Sequence, residues 1–188
     1  MNFKRLLAPV FLLGLAFTAP TVTAEESVDV ALDRDIHAAI DLLLETTPAA
    51  RELASTVKGV LVFPNVTKAG FVLGVQYGDG ALIKRKQGGG YYIANYYTLR
   101  SASYGLQAGV QTFGYAMALM TDAAVEQAES GAGWELGVGP SIVAVDAGVA
   151  KTLSTETAKS DVYAFTFGQE GLMAGLGIQG SKVSRMNK

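Results

Sequence analysis

The chain has 188 residues with 15 basic and 17 acidic side chains, one His, no Cys, 49% apolar residues and 22 Gly. That length fits one domain able to bury a core, and without cysteine there is no disulfide framework, thiol nucleophile or acylated lipoprotein cysteine. One histidine cannot build a multi-histidine metal site, and a net charge of −2 lacks the basic face that releases phosphate counterions, so no nucleic-acid partner is expected.

Lys4 and Arg5 precede an apolar run from Leu6 to Phe17, and Val22-Thr23-Ala24 places small or modest residues at the positions of a cleavage site. Residues 1–24 therefore read as an export signal. The run contains Pro9 and falls short of the about 20 apolar residues that span a bilayer. The rest, 25–188, reads as one domain with a helical front over 27–57 and a β-rich body over 59–188. Charge is uneven along it: eight acids and two bases from Glu25 to Glu52, one acid and six bases from Ser55 to Arg100, eight acids and five bases from Ser101 onward. An anionic partner should meet the middle third.

Val28, Leu32, Ile36, Ala39 or Ile40, and Leu43 recur at steps of three and four, which predicts one amphipathic helix. Thr47-Pro48 predicts an N-cap and first helical residue for a short second helix running to about Val57. His37 falls at the edge of the apolar stripe, where a surface or boundary role is expected.

From Gly59 the texture changes to short apolar runs punctuated by glycine. Strands are predicted over Gly59 to Phe63, Gly70 to Tyr77, Ala81 to Lys86, Tyr91 to Leu99, Tyr104 to Leu119, Trp134 to Ala150, Val162 to Phe167 and Leu172 to Val183. Gly78-Asp79-Gly80 and Gly88-Gly89-Gly90 are expected to supply positive-φ positions for hairpin turns. Thr121 or Asp122 caps a helix over Ala123 to Ser130, stopped by Gly131. The expected class is α+β, mostly antiparallel β: a bent sheet, sandwich or barrel-like core with N-terminal helices and one inserted helix.

A weak repeat lies inside the strands. Gly70-Phe71-Val72-Leu73-Gly74-Val75-Gln76 and Gly105-Leu106-Gln107-Ala108-Gly109-Val110-Gln111 share Gly, an apolar residue, two variable positions and Gly-Val-Gln. Gly171 to Gln179 is a looser third copy. Glycines four apart share one strand face, leaving room for a bend or for a ligand, and the bend is the preferred reading.

Catalytic signatures fail. Ser55-Thr56-Val57-Lys58 fits S-x-x-K, but the accompanying S-D-N and K-T-G are absent. Ser101-Ala102-Ser103-Tyr104-Gly105 lacks the first glycine of a nucleophile elbow. Gly137-Val138-Gly139-Pro140-Ser141-Ile142 has Ile at the third glycine position of a dinucleotide loop. No catalytic residue, metal site or cofactor is assigned.

The stretch Val60-Leu61-Val62-Phe63-Pro64-Asn65-Val66-Thr67-Lys68-Ala69-Gly70-Phe71-Val72-Leu73-Gly74 resembles the opening of the SYLF domain family, lipid-binding modules with actin-binding fungal members. The likeness continues through Tyr77-Gly78-Asp79-Gly80, Ser103 to Gln111, Met120-Thr121, Tyr163-Ala164-Phe165, Gly171 to Gly175 and Gly180-Ser181. One departure stands out: after Gly88-Gly89-Gly90 the family usually places a Trp-Ser-x-Pro-like stretch, whereas this chain has Tyr91-Tyr92-Ile93-Ala94-Asn95.

The resemblance implies a non-enzymatic domain that associates with phospholipid. Its physical counterpart here is Lys84-Arg85-Lys86 followed by Tyr91, Tyr92, Tyr96 and Tyr97, with Lys68 as a further cation. Basic side chains attract anionic surfaces and tyrosine suits the headgroup level. Alternation sends Lys84 and Lys86 to one face and Arg85 to the other, so the three converge only at a hairpin tip. The reading is an exported bacterial envelope module, in the periplasm or at the outer-membrane periphery, that binds phospholipid or another amphiphile. Actin is not an expected partner of an exported protein. The alternative is a structural or assembly protein whose Gly-rich sheet packs with copies of itself, a homo-oligomer, or with an envelope partner. A hydrolase or an outer-membrane barrel fits the residues less well, since interrupting helices break the regular lipid-facing strands of a barrel.

Overall fold

The computed structural model describes residues 24–104, 107–130, 134–135, 142–144, 159–175 and 178–186. Nearly all of the expected export signal lies outside the described residues, as does most of the strand expected over Trp134 to Ala150. The elements are α1 (Ala24–Thr46), α2 (Pro48–Leu53), β1 (Gly59–Gly70), β2 (Leu73–Arg85), β3 (Tyr91–Tyr104), β4 (Gln107–Leu119), α3 (Asp122–Glu129), β5 (Trp134–Glu135), β6 (Ile142–Ala144), β7 (Val162–Gly175) and β8 (Ile178–Arg185). Pro48 cannot continue α1 and opens α2 instead. Thr47 sits at the N-cap, although its side chain makes no cap hydrogen bond. Thr121 does cap α3: its hydroxyl accepts from the Ala124 amide at 3.2 Å.

The strands form one sheet in the order β5-β8-β3-β2-β1-β4-β7-β6. All pairings are antiparallel except β6 with β7. The class is therefore α+β and mostly antiparallel, and of the expected forms the structure takes the bent, open sheet. Its curl follows from chain length. Gly175 ends β7 and Ile178 begins β8, so three Cα steps separate strands that are outermost but for short β5 and β6. Those steps reach about 11 Å at most, whereas a flat sheet would hold the two strands about 24 Å apart. The sheet must roll until its two sides approach at this end.

The roll defines a concave and a convex face. Leu61, Phe63, Leu82, Tyr97, Leu99, Met117, Leu119 and α3 form one buried cluster that also takes Val162 from β7 and Val183 from β8. A cluster joining both outer strands lies on the concave face. On the convex face Val62, Ala81, Ala116 and Phe165 pack under Ile36 and Leu43 of α1 and Leu53 of α2.

One sequence expectation is corrected. Gly78-Asp79-Gly80 forms no turn: it lies in the middle of β2, and neither glycine has positive φ. Their role is close approach. A Cβ on Gly80 would come within 2.0 Å of the Val62 carbonyl oxygen, and one on Gly78 within 2.9 Å of Val66 Cγ2, beside the β1 irregularity between Val62 and Thr67. The β1–β2 connection falls instead at Gly70 to Leu73. Gly88, Gly89 and Gly90 are turn residues as expected, with φ of 102°, 104° and 80°.

The internal repeat acquires a geometric meaning. Its two clear copies flank β1, pairing Gly74 and Gly109 with Gly70, Val75 and Val110 with Ala69, and Gln76 and Gln111 with Lys68. A Cβ on Gly70 would meet Gly74 Cα at 2.6 Å, so here the glycine serves the tight return of the chain.

Candidate functional site

A cavity of about 630 Å³ lies between the helices and the convex face of the sheet. Its walls are apolar: Ile40, Leu43 and Leu44 from α1, Leu53 from α2, and Ile83, Ala118 and Phe165 from the sheet. Pockets that take small apolar ligands span about 300–1,000 Å³ and carry a few placed polar groups. Here the polar groups are Asp33, His37 and Asp41 on one side and Lys86, Tyr91 and Tyr92 on the other.

Two elements position this rim. The β2–β3 hairpin closes through Lys86 N–H to Gly90 carbonyl at 2.9 Å and Gly89 N–H to Lys86 carbonyl at 3.2 Å, which places Lys86 next to Tyr91 and Tyr92. Arg85 pairs with Tyr91 across the hairpin and its guanidinium lies 5.7 Å from the ring centroid, a cation–π contact. On α1, His37 Nδ1 donates to the Asp33 carbonyl oxygen at 2.6 Å. Tyr96 donates its hydroxyl to Asp33 Oδ1 at 2.7 Å, tying α1 to β3.

The structure thus brings together Lys86, Tyr91 and Tyr92, with Arg85 stacked beside them, joins Tyr96 to the rim through Asp33, and separates Lys84, Tyr97 and Lys68. Lys84 is on the concave face, where its Nζ donates to Glu129 of α3 at 3.0 Å. Tyr97 is core: its ring is fully buried, its hydroxyl donates to the Ala128 carbonyl at 2.9 Å, and burial raises its pKa. Lys68 lies toward the other end of the sheet and lines a smaller concave-side cavity of about 240 Å³ with Gln76, Gln111 and Tyr115. Burial there pushes the Tyr115 hydroxyl up to about 12.

Sequence reasoning did not find the helical wall of the large cavity. The available signal was the width of the α1 stripe: Ile36, Ile40 and Leu44 form a second row at four-residue steps beside Leu32, Ala39 and Leu43. Ile36 and Ala39 are buried in the sheet contact, while Ile40, Leu43 and Leu44 reach the cavity.

The architecture is thus a curled antiparallel sheet holding an apolar cavity beneath two helices. Residues 100–188, from the second half of β3 onward, match the family model described as "Ysc84: Las17-binding protein actin regulator". That match, over a little less than half of the chain, supports its resemblance to the SYLF family, a family of lipid- and actin-binding modules. No curated protein matches the chain.

Proposed function

We propose that this protein is an exported, non-enzymatic module of the bacterial cell envelope that holds a phospholipid or a related amphiphile, residues 25–188 acting as one domain in the periplasm or at the outer-membrane periphery. The observation that carries this reading is the apolar cavity whose mouth is set with Lys86, Tyr91 and Tyr92. Acyl chain fits the walls, because burying it removes apolar surface from water. The rim carries both signs of charge: Lys86 suits a phosphate, while Asp33, Asp41 and the tyrosine rings suit an amine. That mixture favours a zwitterionic headgroup over a purely anionic one. Actin is not an expected partner in this compartment.

Native mass spectrometry of the full chain, purified without detergent, tests the reading. A lipid-sized mass increment is expected, and Ala54→Trp, which fills the cavity from the residue after α2, is expected to remove it along with the uptake of a fluorescent fatty acid. Lipid-free protein that also ignores the fatty acid overturns the proposal, as does equal uptake by a folded Ala54→Trp variant.

A further inference from the structure

The end of the sheet farthest from the cavity mouth carries a second apolar surface that the cavity does not use. Phe71 is 75% exposed, Leu73 69%, Val75 63% and Val110 58%. Phe71 and Leu73 sit at the β1–β2 connection, held by the Phe71 N–H donating to the Leu73 carbonyl at 3.2 Å. Behind them Ala102, Val75, Ala69 and Val110 run side by side across β3, β2, β1 and β4. Strand alternation points these residues to the convex face, the face that α1 and α2 cover at the other end.

The next row back is polar and partly cationic. Lys182, Arg100, Tyr77, Thr67 and Thr112 are neighbours across β8, β3, β2, β1 and β4. Arg100 lies 5.9 Å from the centroid of the Tyr77 ring, and the Tyr77 hydroxyl donates to both Asp79 oxygens at 2.9 and 2.8 Å. Two residues along a strand span about 7 Å. That is comparable to the about 5–10 Å to which the apolar face of an interfacial element sinks into the boundary between headgroups and acyl chains. Tyrosine and cationic side chains then stand at headgroup depth. Arg100 and Lys182, paired across β3 and β8, complement anionic headgroups.

We propose that the β1–β2 tip, Phe71 to Val75 with Val110, is a membrane-insertion site that docks the protein on an anionic bilayer surface. The inference rests on the lipid-binding reading for the class of ligand, but it uses none of the cavity residues, so the two fail separately. The test is flotation of the full-length protein with vesicles of phosphatidylglycerol and phosphatidylcholine, beside the double variant Phe71→Ser, Leu73→Ser. These side chains are exposed, so the variant should melt with the parent and keep any lipid mass seen in the cavity, yet partition onto vesicles at least tenfold more weakly. A Phe71→Trp variant, read against the parent's own Trp134 emission, should show a blue-shifted signal on vesicles and be quenched by brominated acyl chains, which a merely structural role would not produce. Unchanged flotation by the double variant overturns the proposal. So does an absence of added quenching in the Phe71→Trp variant, or a parent dimer that the double variant dissolves, which would make the tip a self-association surface. Loss of the cavity's lipid with tip insertion intact would sink the cavity reading alone.

Discussion

Toward the hairpin of β2 with β3, the convex face lies under α1 and α2, and Val62 and Ala81 there are fully buried. Toward the β1–β2 turn the same face carries Val75 and Val110 with more than half of their surface in water. The strands are continuous between the two regions, and the residue types are the same. Burial on this face is therefore decided by which stretch the helices cover and not by strand composition. Below, the concave side stays filled in the covered half by Phe63, Leu82 and Met117 and turns polar near the tip, where Gln76 and Ser101 are buried.

The contrast can be broken most sharply by a pair of truncations. Ile36→Ala removes a fully buried side chain of α1 and should cost about 2–5 kcal/mol in urea denaturation. Leu73→Ala at the exposed tip should stay within about 0.5 kcal/mol. Comparable losses would show that the tip is packed. A smaller effect separates the two glycine groups. Gly80→Ala forces a methyl against the Val62 backbone and should cost about 1–3 kcal/mol, whereas Gly88→Ala has open space and only its positive φ to overcome, about 1 kcal/mol.

The smallest expected effect concerns the concave side at Tyr115, opposite Phe63. Tyr115 has its pKa raised by burial from 10.0 to about 12. The folded chain keeps this proton in a range where the unfolded chain has lost it, so the stabilisation is full below pH 10 and declines as pH rises toward 12. Tyr115→Phe should flatten the fall in melting temperature between pH 10 and 12 while changing little at pH 8. An unaltered alkaline slope would place Tyr115 in contact with solvent.

Local signals were legible where one residue type has one physical use. Pro48 marked the start of α2, Thr121 marked α3, and the run Gly88 to Gly90 marked a turn because three successive positive φ angles favour glycine. Gly78 and Gly80 show why the same residue misleads elsewhere: close backbone approach leaves no trace in sequence that differs from a turn. Strand lengths were underestimated for a related reason. Pro64-Asn65 reads as an end, yet the ladder resumes at Val66 beyond the register shift. In the site, Lys86, Tyr91 and Tyr92 were legible because a short hairpin brings them together. The pairing of Lys84 with Glu129 spans 45 positions, and the cavity wall from α1 depends on how a helix seats on a sheet, so neither could be read from spacing.

Strand β2 has 13 residues, a contour of about 44 Å at about 3.4 Å per residue. Leu73 begins it at the exposed apolar turn, and Arg85 ends it beside the cavity rim. The fold is thus polar in the manner of a lever, with its foot and its cup at opposite ends. Were the turn to insert as proposed, the cavity rim would stand at the far end of β2 from the bilayer surface.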